Sequence, residues 1–326
     1  MSTASWSNWQ PLALGWSPSP EVLAETLDGG QAFRWFLEEK PSALRSLGEG
    51  GPQSSSDADL WTGLWSDNLA QLRLHHGALQ WRAPAALHAR VTRELPRYLG
   101  ADLDWPALVD SLPWRSDPHL ARCLAAYPGL RILRQPFGET LLGFLCSATK
   151  QIVQIKQMLA LLAEKHGLSE VERVDLNALN ERVGVNPFHP LPSWPALAAI
   201  PESDLRACQL GFRARFIHET ALFLAAHPGW LEETEQLPYA AAKARLMELP
   251  GVGEKVADCV LLFGAGKLEA FPVDTWVLKS LARRYDLVGW KPAQVAQFGR
   301  AHFGPLAGLA QQFLFSWERK FGRDKN

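Results

Sequence analysis

Residues 247–276 read MELPGVGEKVADCVLLFGAGKLEAFPVDTW. The stretch opens as the end of a helical pattern, AAKARLMEL, and breaks at Pro250. It turns through Gly251 and Gly253 and restarts as a helix at about Glu254. Glycine supplies the positive φ angles of a tight turn and lets another backbone approach closely. A turn of this kind ahead of a helix leaves several amide N–H groups pointing outward, with the positive end of the helix dipole behind them. That is a phosphate site that needs no basic side chain. A bare LPGVG is equally an ordinary corner between two helices, so the residues after the turn decide the reading.

Lys255 stands in the first turn of the new helix, where an ammonium opposes the dipole. Beside other cationic or desolvating groups such a position depresses a lysine pKa and favours the neutral amine. A lysine of pKa ~10.4 is neutral only to roughly one part in a few thousand at pH 7, so a nucleophilic lysine needs this help. Cys259 lies four residues on, on the same helix face. The segment AFPVD then delivers Asp274 to the start of another helical pattern, TWVLKSLARRY. As structure alone, Asp274 is a helix N-cap, and a capping carboxylate at an exposed helix mouth can also face a substrate.

LPGVGEKVADC followed by FPVD resembles the helix–hairpin–helix plus Gly/Pro-Asp motif of base-excision DNA glycosylases, and most closely the 8-oxoguanine DNA glycosylase/AP lyase family. GGQAFRW in the 30s, LRILRQPFGETLLGFLCSATKQI (130–152), LGFRARFI (210–217) and AQQFLFS (310–316) resemble further pieces of it in the same order. The resemblance therefore covers nearly the whole chain.

The composition sets limits on this reading. The chain has 326 residues, 47% hydrophobic and 21% charged, as in an ordinary globular protein of two or three compact units. No stretch approaches the ~18 consecutive apolar residues of a membrane span. The start, MSTASWSNWQ, lacks the basic region and apolar run of a signal peptide. Cys123, Cys146, Cys208 and Cys259 are widely spaced, which points to reduced thiols and away from zinc. No cysteine comes after Cys259, which argues against an iron–sulfur cluster near the C-terminus. The net charge of −1 gives no sign of nucleic-acid binding, so any DNA-facing field must be local: hairpin amides, KSLARR, and the tail ERKFGRDKN.

The expected fold is α+β, mainly α. Residues 1–116 form an N-terminal domain with a small antiparallel sheet, carried by FRWFLEE, LWTGLW and LAQLRLHH, with a helical pattern at 83–99 and a loop at 48–59 (GEGGPQSSSDAD). Residues 117–326 form all-helical glycosylase domains with the hairpin at 247–259, punctuated at 128–129, 186–195 and 227–230. The apolar helix of 138–167 is interrupted at Ser147 to Lys150, and LGFRARFI places Phe212 and Arg213 at a helix mouth.

The resemblance implies a bifunctional DNA glycosylase/AP lyase acting on 8-oxoguanine in double-stranded DNA. A base cannot be attacked at its sugar while stacked, so it is flipped out. The resemblance assigns Lys255 as nucleophile and Asp274 as the stabiliser of charge on the sugar. Cys259 and Phe315 are the two faces of the base pocket, Gln311 reads the Watson–Crick edge, and the Gly30 carbonyl accepts the N7 hydrogen that distinguishes 8-oxoguanine. Phe212 is the wedge, Arg213 an opposite-base reader, and Thr149 stands where the family has a gap-filling asparagine. Lys150, Gln154, Trp276 and the amides of Gly251, Val252 and Gly253 complete the DNA contacts. A structural monovalent cation at the hairpin would use the carbonyls of Met247, Leu249 and Val252; no cofactor is implied for the chemistry.

Three positions depart from the family pattern: Thr149 for asparagine, Gln154 for a cytosine-reading arginine, and Trp276 for a histidine. They put strict cytosine selectivity in doubt and leave the chemistry alone. An alkylated-base glycosylase of the same fold is the rival within the class, and Lys255 argues against it. A non-catalytic helix–hairpin–helix DNA-binding protein is the rival outside it, and Lys255 together with Asp274 argues against that. The expectation is a monomer with no membrane partner, cytoplasmic and nucleoid-associated in a bacterium or nuclear in a eukaryote.

Overall fold

The computed structural model describes residues 5–38, 59–167 and 189–322. All of the 48–59 loop but its last residue, residues 186–188 of the expected punctuation, and the last four residues of the tail lie outside these.

Among the described residues five strands form one antiparallel sheet: β1 (Gln10–Pro11), β2 (Trp35–Glu38), β3 (Leu60–Trp65), β4 (Asn68–His75) and β5 (Ala78–Arg82), in the order β1-β5-β4-β3-β2. Its buried face is aromatic. Trp35 pairs across strands with Gly63, and a Cβ on Gly63 would fall 2.3 Å from the Trp35 ring, so glycine is what lets the indole lie flat on β3. Trp35 Nε1 donates to the Tyr98 hydroxyl at 3.1 Å, giving the buried indole its partner. The three strand-like runs of the sequence correspond to β2, β3 and β4. The sequence reading missed β1, β5 and α1 (Pro20–Asp28), although α1 carries a plain start signal: Ser19 caps it and Pro20 opens it.

The helices continue as α2 (His88–Tyr98), α3 (Trp105–Asp110), α4 (Pro118–Ala126), α5 (Phe137–Leu145), α6 (Ile152–His166), α7 (Trp194–Ala198), α8 (Glu202–Leu205), α9 (Arg213–Ala226), α10 (Trp230–Gln236), α11 (Tyr239–Leu246), α12 (Glu254–Phe263), α13 (Thr275–Arg284), α14 (Pro292–Phe303) and α15 (Ala307–Phe321). The chain is thus α+β and mainly helical. Asp117 marks the start of the helical body: Oδ1 caps α4, while Oδ2 accepts from Tyr285 at 2.8 Å and pairs with His302 at 3.0 Å. The larger core nevertheless takes in Val22, Phe33, Trp105 and Leu112 from before that point, so the sheet unit and the helices share apolar packing.

α12 is the centre of this body. Ala257, Val260, Leu261 and Leu262 are fully buried. Its Asp258 is also buried, with the Tyr239 hydroxyl at 2.7 Å and Lys243 at 3.0 Å. Burying a carboxylate unpaired is costly, and these partners from α11 fix the hairpin's second helix to its first.

Candidate active site

The hairpin differs in detail from its sequence reading. The first helix ends at Leu246, ahead of Pro250, because tight turns from Glu248 to Arg245 and Leu249 to Leu246 take over the last carbonyls. Gly251 has φ +78, and a Cβ there would meet Phe216 at 2.8 Å, so this position needs glycine twice over. Gly253 is extended (φ −93, ψ −179) and nothing lies within 4 Å of a Cβ built on it. The turn therefore uses one strained glycine, while the second keeps the mouth of α12 open. Glu254 begins α12, where the restart was expected.

Lys255, Cys259 and Asp274 come together at that mouth. Lys255 Nζ donates to Ser147 Oγ at 3.1 Å and lies 5.0 Å from the centre of the Phe144 ring. Burial pushes the Cys259 thiol up to about 12, and Lys255 pulls the other way; at neutral pH the thiol stays protonated and is an apolar wall. Asp274 caps α13, its Oδ1 accepting from Trp276 N at 3.0 Å and Val277 N at 2.8 Å. Desolvation raises its pKa above the ordinary carboxylate value, opposed by the Val277 amide, Lys255, the Trp276 amide and Arg319. Cap and site are the same carboxylate.

α15 reaches the same region, its Arg319 acting electrostatically on Asp274. Gln311, Phe315 and Arg319 are spaced at four residues and share one face of the helix. Gln311 is buried and its Oε1 has no partner among the described residues. A Cβ on Gly30 (φ +107) would lie 3.6 Å from Phe315 Cζ and 3.1 Å from Ile152 Cδ1, so Gly30 meets Phe315 at the start of α6. Arg319 donates to the Gly29 carbonyl, pairs with Glu25 at 3.4 Å and sits 5.4 Å from the Phe315 ring centre. Gln31 is fully buried and bonded to Arg131 O and Leu133 N, both at 2.9 Å, and Lys156 bridges Asp28 and the Trp35 carbonyl. The Gly29–Gly30 backbone is held on both sides.

The third group lies on the α5–α6 turn and the mouth of α9. Phe212 is 52% exposed at the N-terminus of α9. Arg213 behind it is buried, stacked 4.3 Å from the Phe212 ring centre. Its Nη2 donates to the Ala148 carbonyl and, at 3.0 Å, to Thr149 Oγ1; its Nη1 donates to Leu210 O at 3.2 Å. Thr149 is exposed with φ +56. Gln154 Oε1 accepts from Gln151 N at 3.1 Å and so caps α6. Lys150 is half-buried, its amide bonded to Ser147 O at 3.3 Å. Trp276 is half-buried, with Lys279 5.7 Å from its ring centre.

One expectation changes. Arg283 and Arg284 of the KSLARR run are engaged internally, the first with Gly322 O at 3.1 Å and the second over Trp317, so they are poor candidates for DNA. Lys156 borders the site unmarked by the sequence, which gave Ser147 only as part of the 147–150 interruption and Arg319 only as a charge of the tail. Their side chains come from distant parts of the chain, and no local pattern reveals such meetings. At the hairpin, the Leu249 carbonyl accepts from Val252 N at 3.1 Å. No group of three or more His, Cys, Asp or Glu suited to a metal occurs among the described residues.

Known proteins resemble this chain over much of its length. The family model described as 8-oxoguanine DNA glycosylase, N-terminal domain, matches residues 15–141. The N-glycosylase/DNA lyase OGG1 of Arabidopsis thaliana is 29% identical over 323 residues, covering 94% of this chain and 79% of the relative. A probable N-glycosylase/DNA lyase of Methanothermobacter thermautotrophicus is 28% identical over 275 residues, covering 77% and 83%. Among solved structures, the Clostridium acetobutylicum 8-oxoguanine glycosylase/lyase, in complex with double-stranded DNA containing cytosine opposite 8-oxoguanine, superposes with a TM-score of 0.76. It is 26% identical, with 92% of each chain covered. With Asp274 capping α13 and Lys255 at the hairpin, the chain resembles the 8-oxoguanine DNA glycosylases over nearly its whole length.

Proposed function

We propose that this protein is a bifunctional DNA glycosylase/AP lyase of base excision repair that flips 8-oxoguanine out of double-stranded DNA and excises it. The observation that carries the reading is the meeting of Lys255 with Asp274 at the mouth of α12; on α15, Gln311 carries a buried acceptor with no partner among the described residues. An amine and a carboxylate placed this way suit attack on a sugar. An unsatisfied acceptor suits a donor that arrives with the substrate.

The Lys255 amine attacks C1′ of the deoxyribose. Its lone pair forms the N–C bond while the glycosidic bond breaks, and the base leaves with that electron pair and takes up a proton. Asp274, ionised, stabilises the positive charge on the sugar. Opening of the sugar ring gives a Schiff base. Loss of a C2′ proton then expels the 3′ phosphate and nicks the strand.

Gln311 reads the flipped base between Cys259 and Phe315. The Gly30 carbonyl accepts the N7 hydrogen of 8-oxoguanine, whereas guanine would set two acceptors face to face. Phe212 fills the gap as a wedge, and the amides of Gly251, Val252 and Gly253 hold the backbone. Lys150 and Trp276 border the same path. A monovalent cation would fit carbonyl donors at Met247, Leu249 and Val252, since the Leu249 oxygen keeps a second lone pair beside its one internal bond; it would neutralise phosphate, and no chemical step passes through it. The catalysis needs no other cofactor and no iron–sulfur cluster, and the protein works as a monomer. Selectivity for the opposite base is relaxed.

The test is a nicking and borohydride-trapping assay on duplexes carrying 8-oxoguanine, hypoxanthine or 3-methyladenine, with and without alkali. A trapped adduct and alkali-independent nicking on 8-oxoguanine are expected. Release of 3-methyladenine without trapping would establish the alkylated-base reading. Tight binding without any product would establish a non-catalytic DNA-binding protein.

A further inference from the structure

The turn between α5 and α6 does more than face the opposite base. Ser147 Oγ donates its single proton to the Phe144 carbonyl at 2.7 Å. Toward Lys255, 3.1 Å away, it can therefore only accept. A neutral amine has two N–H bonds and one lone pair. When one N–H is taken by a fixed acceptor and the Nζ rests over the Phe144 ring, the lone pair loses most of its freedom to rotate. Ser147 is well suited to fix anything, because it is locked itself: its amide also bonds Phe144 O, at 3.1 Å, and its carbonyl accepts from Lys150 N at 3.3 Å.

The same turn is seated on Arg213. One guanidinium nitrogen bonds both the carbonyl of Ala148 and the hydroxyl of Thr149, the two residues next after Ser147. Resting on the reading of Lys255 as nucleophile, we infer that Ser147 is a positioning residue that aims the Lys255 amine, and that the Ser147–Thr149 turn links the seat of Arg213 to it. Any base opposite the lesion that draws Arg213 off Ala148 and Thr149 then shifts Ser147 and the amine with it. The opposite base acts on the rate of attack as well as on binding.

The experiment uses the whole protein and a duplex with a preformed abasic site, so that base recognition plays no part. Single-turnover borohydride trapping is measured for wild type, Ser147→Ala, Ser147→Thr, Arg213→Met and the double variant Ser147→Ala/Arg213→Met. Affinity for a duplex with a tetrahydrofuran abasic analogue and the Tm of each variant are measured alongside. Ser147→Ala is expected to slow trapping by about 10- to 100-fold, the scale on which misplacing a reacting group acts, with affinity unchanged. Ser147→Thr should restore most of the rate. The double variant should be no slower than Ser147→Ala, because both changes cut one link. If Arg213→Met does not fold, Thr149→Val removes one of its bonds without a cavity. A wild-type rate in Ser147→Ala overturns the positioning role, and additive losses overturn the link. Trapping that survives in Lys255→Gln overturns the nucleophile itself and this inference with it, whereas its loss there leaves the Ser147 variants to decide the inference alone.

Discussion

Arg213 donates from Nη2 to Thr149 Oγ1 at 3.0 Å, joining the mouth of α9 to the α5–α6 turn. The same guanidinium also holds Ala148 O and Leu210 O, so in the free protein both terminal nitrogens are engaged, while Nε has no partner among the described residues. Gln154 Oε1 is spent on capping α6, which leaves only its amide NH2 for a base. Neither group is free to make a full bidentate contact with a cytosine edge. Such a contact is worth roughly 1–3 kcal/mol of discrimination, or about 5- to 150-fold. Single-turnover excision from four duplexes differing only in the opposite base should show a weak preference for cytosine, and Gln154→Arg should strengthen it. A several-hundredfold preference in wild type, or no gain in the variant, would refute this account.

The two hairpin glycines should separate in mutagenesis. Gly251→Ala puts an L side chain at φ +78 and against Phe216, so it should cost about 1–3 kcal/mol of stability along with DNA affinity. Gly253→Ala meets nothing in the free protein and should cost under about 1 kcal/mol. It should still weaken duplex binding, because the methyl occupies the open side of the turn where a phosphate would approach. Denaturant melts and fluorescence-anisotropy titrations on the two variants decide the matter. Equal losses of stability would show that the open mouth of α12 is not what Gly253 provides.

Gln311 exchanges stability for recognition. Its buried Oε1 lacks a partner among the described residues, and an unmet acceptor costs about 1–3 kcal/mol. Gln311→Leu should therefore raise Tm while lowering excision of 8-oxoguanine, and should leave nicking at a preformed abasic site near the wild-type rate. If the variant melts lower, the acceptor is satisfied within the protein and the base-reading role loses its support.

The hairpin, the restart at Glu254, the break at 147–150 and the start of α13 at Asp274 were legible because each is written locally, in glycines, a proline or a capping residue. The three aromatic strands were legible for the same reason. The ending of α11 four residues before Pro250 was not, since the turns that stop it are backbone bonds among ordinary residues. The shared core that joins Val22 and Phe33 to the helical body was equally hidden, because apolar residues state that they are buried and not against what. The engagement of Ser147 with Lys255 spans 108 residues, and that of Arg319 with Gly29 spans 290. Pairings of this kind exist only once the fold brings the chain together.

Asp274 gives the last prediction. Its carboxylate is desolvated and its pKa raised, so the folded protein holds this proton more tightly than the unfolded chain does. Stability from this group is then greatest at low pH and declines as pH rises from the unfolded value near ~4 through the raised folded value. Asparagine caps a helix about as well as aspartate, so Asp274→Asn keeps the bonds to Trp276 N and Val277 N and removes the buried charge. The variant should melt above wild type at neutral pH, with the difference closing as pH falls toward the carboxylate range. Loss of the charge facing the sugar should at the same time cut turnover by about 10²- to 10³-fold. Thermal melts of both proteins across pH 3–8 and single-turnover rates at pH 7 test the two halves together. A variant less stable than wild type at neutral pH would mean that the Asp274–Lys255 attraction outweighs desolvation, and a variant of wild-type rate would remove Asp274 from the chemistry.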